Sequence, residues 1–181
     1  MIIFITGGAK NGKSTLAQNL SVQLAQGGKH YYVATMIPSD EEDRHRIRLH
    51  LEDRAGMGFE TLECGRNLLS CLENADPNAT FLLDSTTALL MNELFPDPTS
   101  CDMDEDAPRR CREAVLAFAK AVKNLVVVSD FIYSDAEIYD EVTETYRRGL
   151  ASIDRALAAV SDTVLELSAG NIIVHKGELP Q

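Results

Sequence analysis

Residues 7–14 read Gly7-Gly8-Ala9-Lys10-Asn11-Gly12-Lys13-Ser14, with Thr15 following. The spacing G-x-x-x-x-G-K-[ST] is met by Gly7, Gly12, Lys13 and Ser14. Each residue type has a mechanical reason. Gly7, Gly8 and Gly12 let the backbone turn tightly and present its N–H groups to phosphate oxygens. Lys13 brings a mobile point charge to the β and γ phosphates. Ser14 offers a hydroxyl to Mg²⁺, and a helix starting there adds its positive end. The apolar run Ile2–Thr6 precedes the motif and the helical stretch Ser14–Gln26, closed by Gly27-Gly28, follows it. Strand, loop and helix are the context the motif requires, so residues 7–15 are read as a phosphate-binding loop for a nucleotide.

Beyond the loop, short β-rich runs alternate with helical patterns to the end of the chain, as in a parallel sheet covered by helices. Strands are expected at Tyr31–Thr35, Glu60–Glu63, Thr80–Asp84 and Asn124–Ser129. Helices are expected from Ser39 to about Asp53, around Arg66–Asn74, over Thr87–Leu94 and over Arg109–Lys123. Ser39 with Glu42 fits an S-x-x-E capping box. Ile138, Val142, Tyr146, Leu150, Ile153 and Leu157 recur every three or four residues, the pattern of a long amphipathic helix. Thr163–Ser168 and Ile172–His175 form an antiparallel hairpin around Ala169-Gly170-Asn171. Pro96–Pro108, rich in proline and acids, is an exposed acidic loop. The fold class is α/β: a P-loop NTPase of the RecA-like type, one domain over residues 1–181, with a mostly parallel central sheet flanked by helices and a C-terminal antiparallel hairpin.

The 181 residues suit one domain with a substantial core, and 45% hydrophobic with 25% charged residues is ordinary for a globular chain. A net charge of −11 argues against a nucleic-acid partner, whose backbone demands clustered Lys and Arg. It does not disfavour small phosphorylated ligands, which a few local groups can capture. No apolar run approaches the roughly 18 residues of a membrane span, and the start MIIFITGG lacks the features of a signal peptide. Cys64, Cys71, Cys101 and Cys111 show no metal-ligand spacing, so reduced thiols in a cytoplasmic protein are expected.

P-loop proteins also carry an acid at a strand end to hold Mg²⁺. Asp84, after Phe81-Leu82-Leu83, is the first candidate and Asp130, after Val126-Val127-Val128-Ser129, the second. Among the four histidines His50 is the informative one. With Arg46 and Arg54 it falls at i, i+4 and i+8, one helical stripe near the carboxyl end of a strand parallel to the first. An imidazole there could attack an α-phosphorus and form a phosphoramidate. From the residues alone the favoured reading of this stripe is a solvated face on which Arg and Glu pair at i, i+4.

These residues resemble the bifunctional adenosylcobinamide kinase / adenosylcobinamide-phosphate guanylyltransferases of cobalamin biosynthesis. The likeness includes ITGGAKNGKS, YYVATMIPSDEED for the family's Y-[IV]-A-T, and RIRLHLEDR for its R-I-x-x-H-x-x-x-R. FETLEC parallels W-x-T-x-E, and FLLDSTTALLMNELF the strand-end acid, threonine and asparagine segment. The last strand, long helix and final strand follow in register.

The resemblance implies two reactions: phosphorylation of adenosylcobinamide with ATP or GTP, then transfer of GMP from GTP to the phosphate through a GMP–histidine intermediate. It assigns that histidine to His50, with Lys13 serving the phosphates. Ala34, Thr35 and Met36 would line the guanine nucleotide site together with Leu51 and Arg54. Glu63 would contact the nucleotide, and Asp84, with Ser14, the Mg²⁺. It further implies a homotrimer with nucleotide sites near subunit interfaces. Two departures stand out: Asp130–Glu137 contains none of the glycines of the family's V-G-x-G-x-x-P loop, and Phe59 replaces a tryptophan. The altered loop leaves a kinase without guanylyl transfer as an alternative, and a nucleotide-binding protein without turnover as another.

Overall fold

In the computed structural model, strand β1 (Ile2–Gly7) runs through the middle of a seven-stranded sheet of order β3-β2-β4-β5-β1-β6-β7. The structure describes residues 1–97, 99–100, 102–133 and 135–180; the expectation of a reduced thiol at Cys101 lies outside them. Strands β2 (His30–Ala34), β3 (Glu60–Glu63), β4 (Thr80–Asp84), β5 (Asn124–Val128) and β6 (Thr163–Ser168) join β1 in one parallel set. Only β7 (Asn171–Lys176) is antiparallel, joined to β6 through Ala169 and Gly170, both at positive φ. Two successive left-handed residues are what a tight hairpin turn needs to match strand twist.

Alternation along the strands sends side chains to two cores. Ile3, Ile5, Leu82, Val126, Val128 and Leu165 pack under helix α1 (Lys13–Ala25) with Ala17 and Leu20. Phe4, Tyr31, Phe81, Leu83 and Leu125 face the other way. There they meet α3 (Thr86–Leu94), α4 (Ala107–Ala121) and α5 (Glu141–Val160) through Leu90, Phe118, Leu150, Ile153 and Leu157. Phe81 stacks on Tyr31 at 4.9 Å and meets the edge of Phe118 at 5.4 Å.

Several expected boundaries move, each for a local reason. The helix expected from Ser39, α2, is Glu41–Asp53. Asp40 is its N-cap, accepting from the Asp43 N–H at 2.8 Å, while the Asp43 carboxylate accepts from the Ser39 N–H and hydroxyl. The capping pair is therefore Asp40 with Asp43, one residue beyond Ser39 and Glu42. Residues 68–74 form a 3-10 helix, not an α-helix. The acidic loop after Pro96 ends early, because Ala107 is buried in the first turn of α4 and Pro108 occupies a position that needs no N–H donor. Ile138 lies outside α5 and is 92% exposed, because Asp140 caps the helix by accepting from the Thr143 N–H at 2.9 Å.

Candidate active site

The parallel strands deliver their carboxyl ends to one rim, where open α/β sheets bind ligands. Gly7 ends β1 at a φ of 147°, and a side chain there would run into the Leu167 carbonyl of β6. Asn11 ties the loop to that same carbonyl through its amide. Gly12 holds a left-handed conformation at the start of α1, which turns the chain from loop to helix. Lys13 is buried, and its ammonium donates to the Gly8 carbonyl at 2.6 Å and pairs with Asp130 at 2.9 Å.

A cleft of about 440 Å³ opens over this loop. Its walls include Ala9, Lys10, Asn11, Gly12, Lys13, Ser14 and Thr15 from the loop, Asp84 and Asp130 from the ends of β4 and β5, and Arg46, His50 and Asp53 from α2. A smaller cavity of about 60 Å³ adjoins it, lined by Tyr32, Ala34, Met36, Arg54, Glu63 and Asp84 among others. Met36, His50, Asp84 and Ser85 belong to both. His50 Nδ1 is buried with no hydrogen-bond partner among the described residues, so this nitrogen is left for whatever enters.

The expected site residues divide by what their side chains do. Ala34, Met36, Glu63, Asp84 and Arg54 surround the smaller cavity with His50. Arg54 is not free: its guanidinium lies 4.0 Å over the Tyr32 ring and donates to the His50 carbonyl and to Thr61. Thr35 is fully buried and lines neither cavity. Its hydroxyl donates to the Ser85 carbonyl at 2.8 Å and accepts from the Ser85 N–H at 2.7 Å, tying the end of β2 to the end of β4. Leu51 is 47% exposed and lines neither cavity, since one residue along a helix turns a side chain about 100° from His50. Arg46 reaches the phosphate cleft yet pairs with Glu42 at 2.6 Å, so part of the basic stripe is also a solvated ion-paired face.

Sequence reasoning passed over Tyr32 and Asp53. Tyr32 donates to Asp84 at 2.9 Å. Burial, then the Asp84 carboxylate, pushes the phenol well above its ordinary range, so it stays a proton donor to that acid. Its signal was the alternation of β2: Tyr31 and Val33 point to one core, leaving Tyr32 and Ala34 for the opposite face.

Residues 3–174 match the cobinamide kinase / cobinamide phosphate guanyltransferase family. The chain belongs to that family. It is a transferase of this bifunctional group, with a P-loop that binds nucleotide. Among its relatives are the bifunctional adenosylcobalamin biosynthesis proteins CobU of Salmonella typhimurium, 27% identical over 94% of this chain and 97% of the relative, and of Escherichia coli, 25% identical over the same shares. Two solved structures are similar. One is an ATPase domain, with a TM-score of 0.55 at 8% identity over 97% of this chain and 76% of that one. The other is an ATPase from the type III secretion system of pathogenic bacteria, with a TM-score of 0.53 at 12% identity over 93% and 51%. These two establish the P-loop ATPase fold. No helix among the described residues is long and apolar enough to cross a membrane.

Proposed function

We propose that this protein phosphorylates adenosylcobinamide with ATP or GTP and then transfers GMP from GTP to the resulting phosphate, through a GMP carried on His50. The observation that carries the reading is the position of His50 on the wall common to the two cavities, with Nδ1 buried and unpartnered among the described residues. A nucleotide laid with its polyphosphate over residues 9–15 and its base toward Ala34, Met36 and Glu63 passes this imidazole at the α-phosphate.

In the kinase step the loop amides and Lys13 hold the β and γ phosphates and stabilise charge on the transferring group. Lys13 exchanges its Asp130 partner for phosphate oxygens as the nucleotide enters. Ser14 and Asp84 line the same cleft and offer a hydroxyl and a carboxylate, the hard oxygen donors that suit Mg²⁺. Magnesium bound there would neutralise phosphate charge. In the second step a ring nitrogen of neutral His50 attacks the α-phosphorus. The N–P bond forms, the bond to the bridging oxygen breaks, and pyrophosphate leaves. The phosphate oxygen of adenosylcobinamide phosphate then displaces His50 and restores the imidazole. Two in-line displacements replace one difficult transfer.

GTP radiolabelled on its α-phosphate, incubated with the protein and Mg²⁺, is expected to leave acid-labile, alkali-stable label on the denatured chain. His50→Ala should abolish that label. Phosphorylation of adenosylcobinamide with no label under any condition would overturn the guanylyl transfer and leave a kinase alone, the reading that the glycine-free 130–137 segment favours.

The assembly proposed is a homotrimer working in the cytoplasm. Support for a subunit contact comes from α2, which buries none of its residues and leaves Leu49 and Leu51 exposed. The free thiols of Cys64, Cys71 and Cys111 suit a reducing compartment.

A further inference from the structure

Asp154 sits in the middle of α5, 2% exposed, and no cation pairs with it among the described residues. Its Oδ2 accepts two hydrogen bonds, from the Ser129 hydroxyl at 2.8 Å and the Tyr133 hydroxyl at 3.1 Å. Its Oδ1 is buried with no partner among the described residues. Burial, with the nearby charge of Asp130, pushes the carboxyl up to about 7 against the hydrogen bonds that favour its charged form. A buried acid held without a counter-charge is costly for stability. A leucine here would avoid that charge but leave the Ser129 and Tyr133 hydroxyls without their acceptor.

What that acid grips is informative. Ser129 and Tyr133 stand on either side of Asp130, the residue paired with Lys13. Between them, the Phe131 N–H donates to the Gly7 carbonyl at 3.0 Å, and the Asp130 N–H donates to the Thr87 hydroxyl at 3.0 Å. Two turns earlier on α5, Arg147 holds the outgoing chain through Asp135 at 2.8 Å and lies over the Tyr139 ring. The corner that follows β5 is thus fixed to the phosphate loop on one side and to one carboxylate oxygen on the other.

We infer that Asp154 is a positioning residue for phosphoryl transfer: by holding Ser129 and Tyr133 it fixes the corner whose Phe131 N–H braces Gly7, and so keeps the phosphate loop in its working geometry. Asp154 touches no substrate. It acts through the corner that glycines would otherwise leave loose, and this chain, which has no glycine between residues 130 and 137, fixes that corner with a tyrosine and a buried acid. The inference rests on the proposed phosphoryl transfer, but only on the handling of the γ-phosphate and not on the identity of the acceptor.

The test is therefore Mg²⁺-dependent GTP hydrolysis by the full chain, which needs no acceptor, alongside phosphorylation of adenosylcobinamide. Asp154→Leu removes both acceptor bonds. It is expected to lower kcat about tenfold to a hundredfold, the scale of small misplacements in an active site, with KM for GTP within about twofold and Tm at pH 8 close to that of the unaltered protein, because removal of the buried charge offsets the two hydroxyls left without an acceptor. Asp154→Asn keeps an acceptor oxygen for the two hydroxyls and should restore most of kcat. Tyr133→Phe should fall between. An unchanged kcat in Asp154→Leu would overturn the inference. So would a fall in kcat matched by a fall in Tm and not rescued by asparagine, the mark of a merely structural residue. Failure of the unaltered protein to phosphorylate adenosylcobinamide, with hydrolysis still dependent on Asp154, would instead reject the acceptor and leave the inference standing.

Discussion

Asp154 also makes the fold sensitive to pH in a direction that can be worked out. Its carboxyl titrates near 7 in the folded chain against 3.8 as the ordinary value, so the native state binds the extra proton between those limits. Its contribution to stability is then greatest at low pH, falls as pH rises from about 4 toward 7, and is lowest once Asp154 ionises fully. A tenfold difference in proton affinity between folded and unfolded chain corresponds to about 1.4 kcal/mol. Asp154→Asn carries no charge at any pH and should raise Tm by more at pH 8 than at pH 5, measured by differential scanning calorimetry in matched ionic strength. An equal gain at both values would show that charge at this position is not the cause. Lys13 presents the opposite case. Its ammonium is buried against the Gly8 carbonyl and Asp130, so its burial is matched by partners that a phosphate can replace one for one.

Between elements, the link that matters is the one from Thr35 to Ser85. It ties the end of β2 to the end of β4 and so sets Ala34 and Met36 against Asp84 around the smaller cavity. Asn92 of α3 strengthens the join by donating to the Thr35 and Gly65 carbonyls. Thr35→Val keeps the shape but leaves the Ser85 N–H without its acceptor. The expected loss is about 1–3 kcal/mol of stability, read from urea unfolding, with a higher KM for GTP. The sheet was legible because β1, β4 and β5 are uninterrupted apolar runs, and the phosphate loop because its residue types admit few other geometries. Thr35 shows where legibility stopped: a strand-end threonine looks the same in sequence whether its hydroxyl faces a ligand or the next strand. Tyr133 and Asp154 lie 21 residues apart in sequence, and only the fold of α5 back over β5 brings them together.

At the level of the whole molecule, α2 stands out. It carries His50, its acidic first turn of Glu41, Glu42 and Asp43 matches the helix dipole, and it buries no residue in the described chain. A helix so placed gains little from packing and needs cover if His50 is to be held to ångström precision. Light scattering of the purified protein is expected to give three times the chain mass of 19.9 kDa. A monomer with full transfer activity would show that the single chain completes its own site.

The place of β1 has a bearing on how the protein is made. This strand leaves the ribosome ahead of the other six, yet its two neighbours in the sheet are β5 and β6, at residues 124–128 and 163–168. Its loop leans on Leu167 through Asn11. Pairings of such sequence separation are slow to close, and domains complete themselves as units when the chain is nearly all available. The nucleotide motif is thus translated well before the strands that support it and is among the last parts to become competent. A nascent chain is therefore expected to gain nucleotide binding only once β5 and β6 are out, so that nucleotide capture would report that the sheet has closed.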